Sequence, residues 1–306
     1  MRSLPFALVL LTIAACSDES SPTTSSPADG GTSPDGSSST KDGGGIDTPE
    51  VDAGSDSGEP PLATQNEKEP NNGATATEIG AMTLPGAMKG AIDPANDVDI
   101  FSITPAAGEF WEWTLAPSGA DLAPHLTIFD TDPGNKTNPN VLAKGDAAQT
   151  VTLQHFVLGT GTFVAAVRDA RNVPTPSGRG GATYGYTLTA KKKTPAPVTV
   201  TFPSTKTGKL ASLSSVDLYA FTLAASTGLD VIIRAERKTA PSTLDSRLSL
   251  FNVTTKTSVG TNDDASGSTT DSQLGGTLPA GSYVAVVENE GTNAADLSYE
   301  IEFALR

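Results

Sequence analysis

The residues best suited to chemistry lie near residue 70, where the stretch 66–72 reads NEKEPNN. A second acidic stretch, NDVD, follows at 96–99. Together they offer side-chain oxygens from six residues: Glu67, Glu69, Asn71, Asn72, Asp97 and Asp99. Hard cations such as calcium take six to eight oxygen ligands, favouring carboxylates and carbonyls on loops. We therefore expect a calcium site here; the alternative is that the asparagines form turns and the glutamates are only solvated.

The chain offers little for catalysis. It has two histidines, His125 and His155, and neither lies in a zinc-ligand spacing such as HExxH. No GxSxG motif occurs, and the single cysteine, Cys16, follows the apolar N-terminal run, where we expect it to carry a lipid. A carboxylate pair for glycoside hydrolysis stays open, because distances in space cannot be read from a sequence. A net charge of −15 disfavours binding to nucleic acid. We expect a protein that is not an enzyme.

Two aromatic residues are candidates for ligand binding. Trp111 and Trp113 stand two apart in FWEWTLA, so they share one face of a strand. Either both rings pack in the core, or both are exposed and stack on the sugars or peptides of a ligand.

The first sixteen residues, MRSLPFALVLLTIAAC, indicate the compartment. Arg2 and the apolar run after it form a secretory signal that is too short to span a bilayer as a mature helix. The ending IAAC resembles a bacterial lipobox, which implies a signal peptide over 1–15 and acylation of Cys16. The alternative is an ordinary cleaved signal with an incidental cysteine. Ser17, rather than aspartate, follows, and the resemblance then implies anchoring by lipid in the outer membrane of the cell envelope.

Residues 16–65 are rich in Ser, Thr, Pro, Gly and Asp. Ten acidic residues against Lys41 give residues 17–65 a net charge of −9. Too few of these side chains can enter a core to offset the entropy of ordering. We expect a disordered linker with a reach of about 35–42 Å as a flexible coil.

The remainder of the chain has the pattern of strands. In YEIEFAL, apolar Tyr299, Ile301 and Phe303 alternate with glutamates, and FWEWTLA and SYVAVVEN are interpreted in the same way. Gly, Pro, Asn and Asp separate such runs, and no stretch has helical periodicity. The sequence predicts an all-β protein.

An internal repeat divides this β region. VDIFSITPAAG matches VDLYAFTLAAS, LTIFD matches LSLFN, GTGTFVAAV matches LPAGSYVAVV, and YGYTL matches LSYEI, at offsets of 118, 122, 120 and 113 residues. We predict two β-domains, at 66–190 and 198–306, with a linker at 191–197. The lysine run in that linker is either solvated or in contact with anionic lipid.

These motifs resemble the bacterial pre-peptidase C-terminal (PPC) domain, and the resemblance covers nearly all of residues 66–306. EPNN at 69–72 and DIF at 99–101 match the first elements of its pattern, and NDDASGSTTDSQLGGTLPAGSYVAVV at 262–287 matches its acidic loop and final hairpin. The resemblance implies two jelly-roll-like β-sandwiches. It also implies calcium, because similar domains of clostridial collagenases bind this ion with such a lead-in.

The second copy departs from the family pattern, since it lacks the E-x-N-N lead-in. Asp99 nevertheless recurs there as Asp217, so a structural role for this aspartate is an alternative to metal binding.

These features predict a tethered, non-catalytic module that binds extracellular protein or polysaccharide. The alternative is an accessory of a secreted peptidase acting with a catalytic partner in trans, or a cryptic hydrolase.

Overall fold

The computed structural model describes residues 62–72, 79–130, 141–144, 149–173 and 175–306. The predicted signal peptide, Cys16 and nearly all of the predicted linker lie outside these residues. In the part that is described, no helix is long and apolar enough to cross a membrane.

Two face-to-face sheets form the first sandwich, in the strand orders β1-β3-β10-β5-β8 and β2-β4-β9-β6-β7. Its described strands are β1 (Thr64–Asn66), β2 (Gly80–Ala81), β3 (Gly86–Ala91), β4 (Asp99–Ile103), β5 (Phe110–Pro117), β6 (Pro124–Asp130), β7 (Val141–Lys144), β8 (Val151–Phe156), β9 (Phe163–Asp169) and β10 (Gly185–Lys193). A short 3-10 turn, Ala170–Asn172, follows β9.

The second sandwich has sheets in the orders β11-β13-β18-β15-β16 and β12-β19-β14-β17. Its strands are β11 (Val198–Thr199), β12 (Ser204–Lys209), β13 (Asp217–Leu223), β14 (Thr227–Arg234), β15 (Ser246–Asn252), β16 (Thr257–Asn262), β17 (Gln273–Leu278), β18 (Gly281–Asn289) and β19 (Ser298–Leu305). Strand for strand, these orders repeat those of the first sandwich, except that β1 has no counterpart.

Each sandwich has its own apolar core, built by residues that alternate along the strands. In β19, Tyr299, Ile301 and Phe303 are buried while Glu300 and Glu302 lie on the other face. The prediction of an all-β sandwich protein is confirmed.

Three details differ from the sequence prediction. Strand β1 begins at Thr64, two residues before the predicted domain start. Residues 191–193 are not part of the linker, because β10 pairs with β5 as far as Lys193. There Lys192 pairs with Glu109 at 2.6 Å and Lys193 with Glu112 at 3.6 Å, so the lysine run is part of a sheet. The connection between the sandwiches is therefore short, at 194–197.

The third difference concerns β18, which does not alternate. All residues from Tyr283 to Glu288 are buried, because both faces of its sheet are covered. One face covers the second core, and the other packs against the first sandwich.

This packing forms a third apolar cluster at the junction of the two sandwiches, within the compact unit Gly58–Arg306. Phe156 from β8 meets Phe251 from β15 edge to face, with ring centroids 5.3 Å apart. Two hydrogen bonds add to the junction: Gln154 N–H donates to Ser214 O (2.9 Å), and Val216 N–H donates to Gln154 Oε1 (3.0 Å). The other members of the cluster are Ala107, Val216, Leu218, Val284 and Val286.

Candidate metal site at the start of the first sandwich

The site is built on a buried hydrogen bond between two strands. Tyr186 Oη on β10 donates to Asp99 Oδ2 on β4 at 2.7 Å, and both residues are almost fully buried. Gly90 on β3 lies opposite Tyr186 in the ladder. A Cβ atom at Gly90 would come within 2.5 Å of Tyr186 Oη. Glycine is therefore required here to leave space for the tyrosine hydroxyl.

Glu67 reaches the same hydroxyl from the segment after β1. The backbone N–H of Glu67 donates to Lys89 O at 2.9 Å, which extends the pairing of β1 with β3. Its carboxylate accepts from Ala91 N–H (2.6 Å) and lies 2.9 Å from Tyr186 Oη. The hydroxyl has one proton and faces the carboxylates of both Glu67 and Asp99. These oxygens therefore need another positive charge or proton.

Asn71 brings Glu69 into the cluster. Its backbone N–H donates to Glu69 Oε2 at 3.1 Å, and its carbonyl accepts from Ile100 N–H at 2.8 Å. One end of its buried amide lies 2.8 Å from Asp99 Oδ1 and 3.2 and 3.3 Å from the two Glu69 oxygens. If that end is nitrogen, it donates to them. If it is oxygen, a cation or a proton must lie among these oxygens, because acceptors repel each other.

Asp97 is the fourth carboxylate. It is 8% exposed, and its Oδ2 atom is buried with no hydrogen-bond partner among the described residues. A buried carboxylate oxygen without a partner is costly, so it favours a bound cation. In the part of the chain that is described, no Lys or Arg forms an ion pair with any of the four carboxylates.

The electrostatics reflect this crowding of negative charge. Burial raises the pKa of Asp99 to about 9; the hydrogen bond from Tyr186 opposes the rise, and the charges of Glu67, Asp97 and Glu69 add to it. Burial, together with the charge of Asp97, also raises the pKa of Glu69. The pKa of Asp97 is raised chiefly by burial. A divalent cation would relieve both the desolvation and the repulsion.

The donor set fits calcium. Glu67, Glu69 and Asp99 each offer a carboxylate oxygen within 4.8 Å of the other two. Calcium lies 2.3–2.6 Å from its oxygens, so ligand atoms on opposite sides of the ion are about 5 Å apart. Of the six residues expected from the sequence, five lie at this site or beside it, and Asn72 is exposed.

The second sandwich contains the same hydrogen bond without the added carboxylates. Tyr299 Oη donates to Asp217 Oδ2 at 2.5 Å, and Gly208 lies opposite Tyr299. Tyr219 Oη lies 2.9 Å from Tyr299 Oη. Burial raises the pKa of Asp217. The aspartate–tyrosine pair is thus structural in both copies, and only the first surrounds it with Glu67, Glu69 and Asp97.

Sequence reasoning missed Tyr186 and Gly90. One signal could have found the glycine, because Gly90 precedes Asp99 by nine residues, as Gly208 precedes Asp217. The tyrosines were aligned in the repeat, but their role depends on a strand register that the repeat does not give.

The two tryptophans are core residues. Trp111 is 3% exposed and Trp113 is fully buried, with ring centroids 6.1 Å apart. The alternative of exposed, ligand-stacking rings is therefore wrong, because this face of β5 points into the first core.

Asp271, in the acidic loop of the second copy, is also structural. It is fully buried and accepts backbone N–H bonds from Ala235, Glu236 and Arg237.

Comparison with known proteins gives structural likenesses only. No family model and no curated protein matches the chain. The pre-peptidase C-terminal domain of a Bacillus anthracis collagenase is 16% identical and aligns with 37% of this chain and 99% of its own, at a TM-score of 0.31. Aeromonas hydrophila PliG, a periplasmic inhibitor of g-type lysozyme, is 16% identical over 36% of this chain and 96% of its own, with a TM-score of 0.28. The CUB1-EGF-CUB2 segment of human MASP-1/3 is 8% identical over 74% of this chain and 98% of its own, with a TM-score of 0.22. The fold itself rests on the strands and cores described above.

Proposed function

We propose that this chain is a lipid-anchored, non-catalytic binding protein of the cell envelope, in which calcium fixes the first β-sandwich to the end of its tether. The sandwiches present their surfaces to an extracellular or periplasmic protein or polysaccharide. Cys16 carries the lipid, and residues 16–63 form the tether.

The observation that carries the proposal is the cluster of Glu67, Glu69 and Asp99, with Asp97 beside it. Its carboxylates converge where the chain passes from β1 into the first sandwich, and they lack a cationic partner among the described residues. A cation bound there would tie Glu67 and Glu69, on the incoming segment, to Asp99, on the sheet. The role of this cation is to stabilise the fold, because its ligands belong to two segments that it would hold together.

Calcium binding is tested by thermal unfolding of residues 17–306. Both tryptophans of the chain lie in the first sandwich, so tryptophan fluorescence reports on that sandwich alone. Calcium at a hundredfold excess over its Kd stabilises the folded state by about 2.7 kcal/mol. For a unit of this size we expect the fluorescence-monitored Tm to rise by about 5–11 °C. The reference sample contains a chelator.

Variants separate specific binding from a general effect of salt. Glu69→Ala and Asp97→Asn should remove the calcium response. Asp263→Asn, in the exposed acidic loop of the second sandwich, should retain it. A Tm that is identical with calcium and with chelator would leave NEKEPNN as a simple lead-in to the fold.

Anchoring is tested separately with Cys16→Ala in the full chain. We expect the wild type to partition with membranes and the variant to lose this association, because the acyl chains supply the membrane affinity. Membrane association that survives in the variant contradicts the anchor and leaves the calcium site unaffected.

A further inference from the structure

A groove of about 890 Å³ lies between the two sandwiches. One wall is the turn 106–110 of the first sandwich, together with Phe156. The opposite wall is the outward face of β13, β15 and β18. This volume is typical of small-molecule sites, which often form where two domains meet.

The floor of the groove is apolar and already packed. Phe156 and Phe251 are 4% and 1% exposed and support each other edge to face, and Val284 is 8% exposed. Gly108 has φ +82°, and a Cβ atom there would lie 3.1 Å from the ring of Phe251. The turn can therefore come close to the second sandwich. Both walls belong to the same apolar cluster, so the groove is formed without a ligand.

The charged groups around the groove are mainly positive. Lys192, Lys193 and Lys256 line it with a single carboxylate, Glu109. Glu109 is already bound to Lys192 at 2.6 Å, and Lys193 has a longer pairing with Glu112 at 3.6 Å. Among the described residues, no carboxylate lies within ion-pair distance of Lys256. Lys256 is thus the rim lysine that has no ion-pair partner in the described part of the chain, and its charge favours an anionic group at that end of the groove.

The backbone of the wall formed by β13, β15 and β18 argues against an extended peptide along that wall. The second sandwich contributes the face of a sheet, where β13 pairs with both β11 and β18, and β18 pairs with both β13 and β15. These strands have no free ladder edge with which a peptide could form backbone hydrogen bonds. An apolar chain with one charged end needs none.

We propose that this groove binds an anionic single-chain amphiphile, with its apolar chain against the half-buried Phe110, over the floor of Phe156 and Phe251, and its charged end at Lys256. The inference goes beyond the proposed function and does not depend on calcium. It gives the junction between the sandwiches a role of its own in ligand binding.

Titration calorimetry of residues 17–306 with dodecanoate, in the presence of chelator, tests the inference. Thr222→Trp places a large side chain in the groove from an exposed position on β13, and should weaken binding at least tenfold. Val253→Trp does the same from a neighbouring turn, where Val253 is 45% exposed, and serves if the first variant does not fold.

The charge requirement is tested with a neutral analogue. Lys256→Gln should weaken dodecanoate binding about two- to fivefold, the effect of one exposed ion pair, and leave dodecanol binding unchanged. Lys206→Gln, on β12 of the other sheet, is the matched control and should change neither. Glu69→Ala should also leave dodecanoate binding intact, which separates this site from the calcium site.

Three results would overturn the inference: no measurable binding of dodecanoate, unchanged binding in both tryptophan variants, or equal loss of dodecanoate and dodecanol affinity in Lys256→Gln. Binding of an acidic, apolar peptide in place of dodecanoate would also overturn it and identify the groove as a protein-docking site.

Discussion

Replacing Phe251 with alanine tests whether the two sandwiches unfold as one unit. Phe251 is 1% exposed, and it lies outside both sandwich cores, in the cluster at the junction. Truncation of a buried phenylalanine costs about 3–5 kcal/mol. For a domain pair of this size that corresponds to a fall in Tm of about 6–20 °C.

The positions of the tryptophans make the assay specific. Phe251 lies in the second sandwich, whereas Trp111 and Trp113 lie in the first. If Phe251→Ala lowers the midpoint of the fluorescence-monitored transition, the substitution in the second sandwich has therefore destabilised the first. Far-UV circular dichroism, measured in parallel, reports on both sandwiches. We expect the two transitions to coincide in the wild type and the fluorescence midpoint to fall in the variant.

Two further variants complete the experiment. Val253→Ala, at an exposed position two residues away, should change stability by less than about 0.5 kcal/mol. The double variant Phe156→Ala/Phe251→Ala should lose less free energy of unfolding than the two single variants lose together, because the two rings contact each other. A fluorescence midpoint that stays at the wild-type value in Phe251→Ala, while the dichroism midpoint falls, would refute the coupling.

Two other predictions concern buried polar groups. Gly90→Ala should destabilise the first sandwich by about 1–3 kcal/mol in a urea titration, because the new Cβ atom overlaps the Glu67 carboxylate and Tyr186 Oη. Gly159→Ala, with no atom within 4 Å of its Cβ, should be nearly neutral in the same titration. Burial raises the pKa of Asp271, but hydrogen bonds from Arg237 and from three backbone N–H groups outweigh burial and hold this pKa below its ordinary value. The stabilisation is thus complete above the unfolded-state pKa of about 3.9 and is lost as the pH falls through the lower folded-state value. Asp271→Asn should reduce stability at pH 7 and flatten its dependence on pH below 4, and an unchanged acid slope in the variant would contradict this reasoning.

The sequence predicted the parts of the fold that depend on local pattern. Alternation in YEIEFAL identifies β19 and its buried face, and the repeat aligns Asp99 with Asp217. Glu67 and Glu69 were candidates because their oxygen chemistry and position before the first strand are visible in the sequence. These inferences need only the residue order and the two-residue period of a strand.

The remaining features depend on register and on tertiary contact. Tyr186 completes the carboxylate cluster because β10 pairs with β3 in the register that places it opposite Gly90. The junction was missed because SYVAVVEN was interpreted as alternating. The consecutive apolar residues from Val284 to Val287 are typical of a strand covered on both faces, and in β18 they are all buried. That run was the available signal for a second packing surface.

The pairing of β1 with β3 determines how the first sandwich resists a pulling force on the chain before it. Strand β1 runs parallel to β3, and backbone hydrogen bonds join Ala87 N–H to Ala63 O and Glu67 N–H to Lys89 O. A pull on the N-terminal end of β1 along the strand axis acts across these bonds, so they share the load instead of breaking one at a time. The carboxylates of Glu67 and Glu69 lie at the far end of β1, behind the loaded bonds. A cation there would hold β1 against slippage, so the strength of the β1–β3 attachment under tension should depend on calcium more than its thermal stability does.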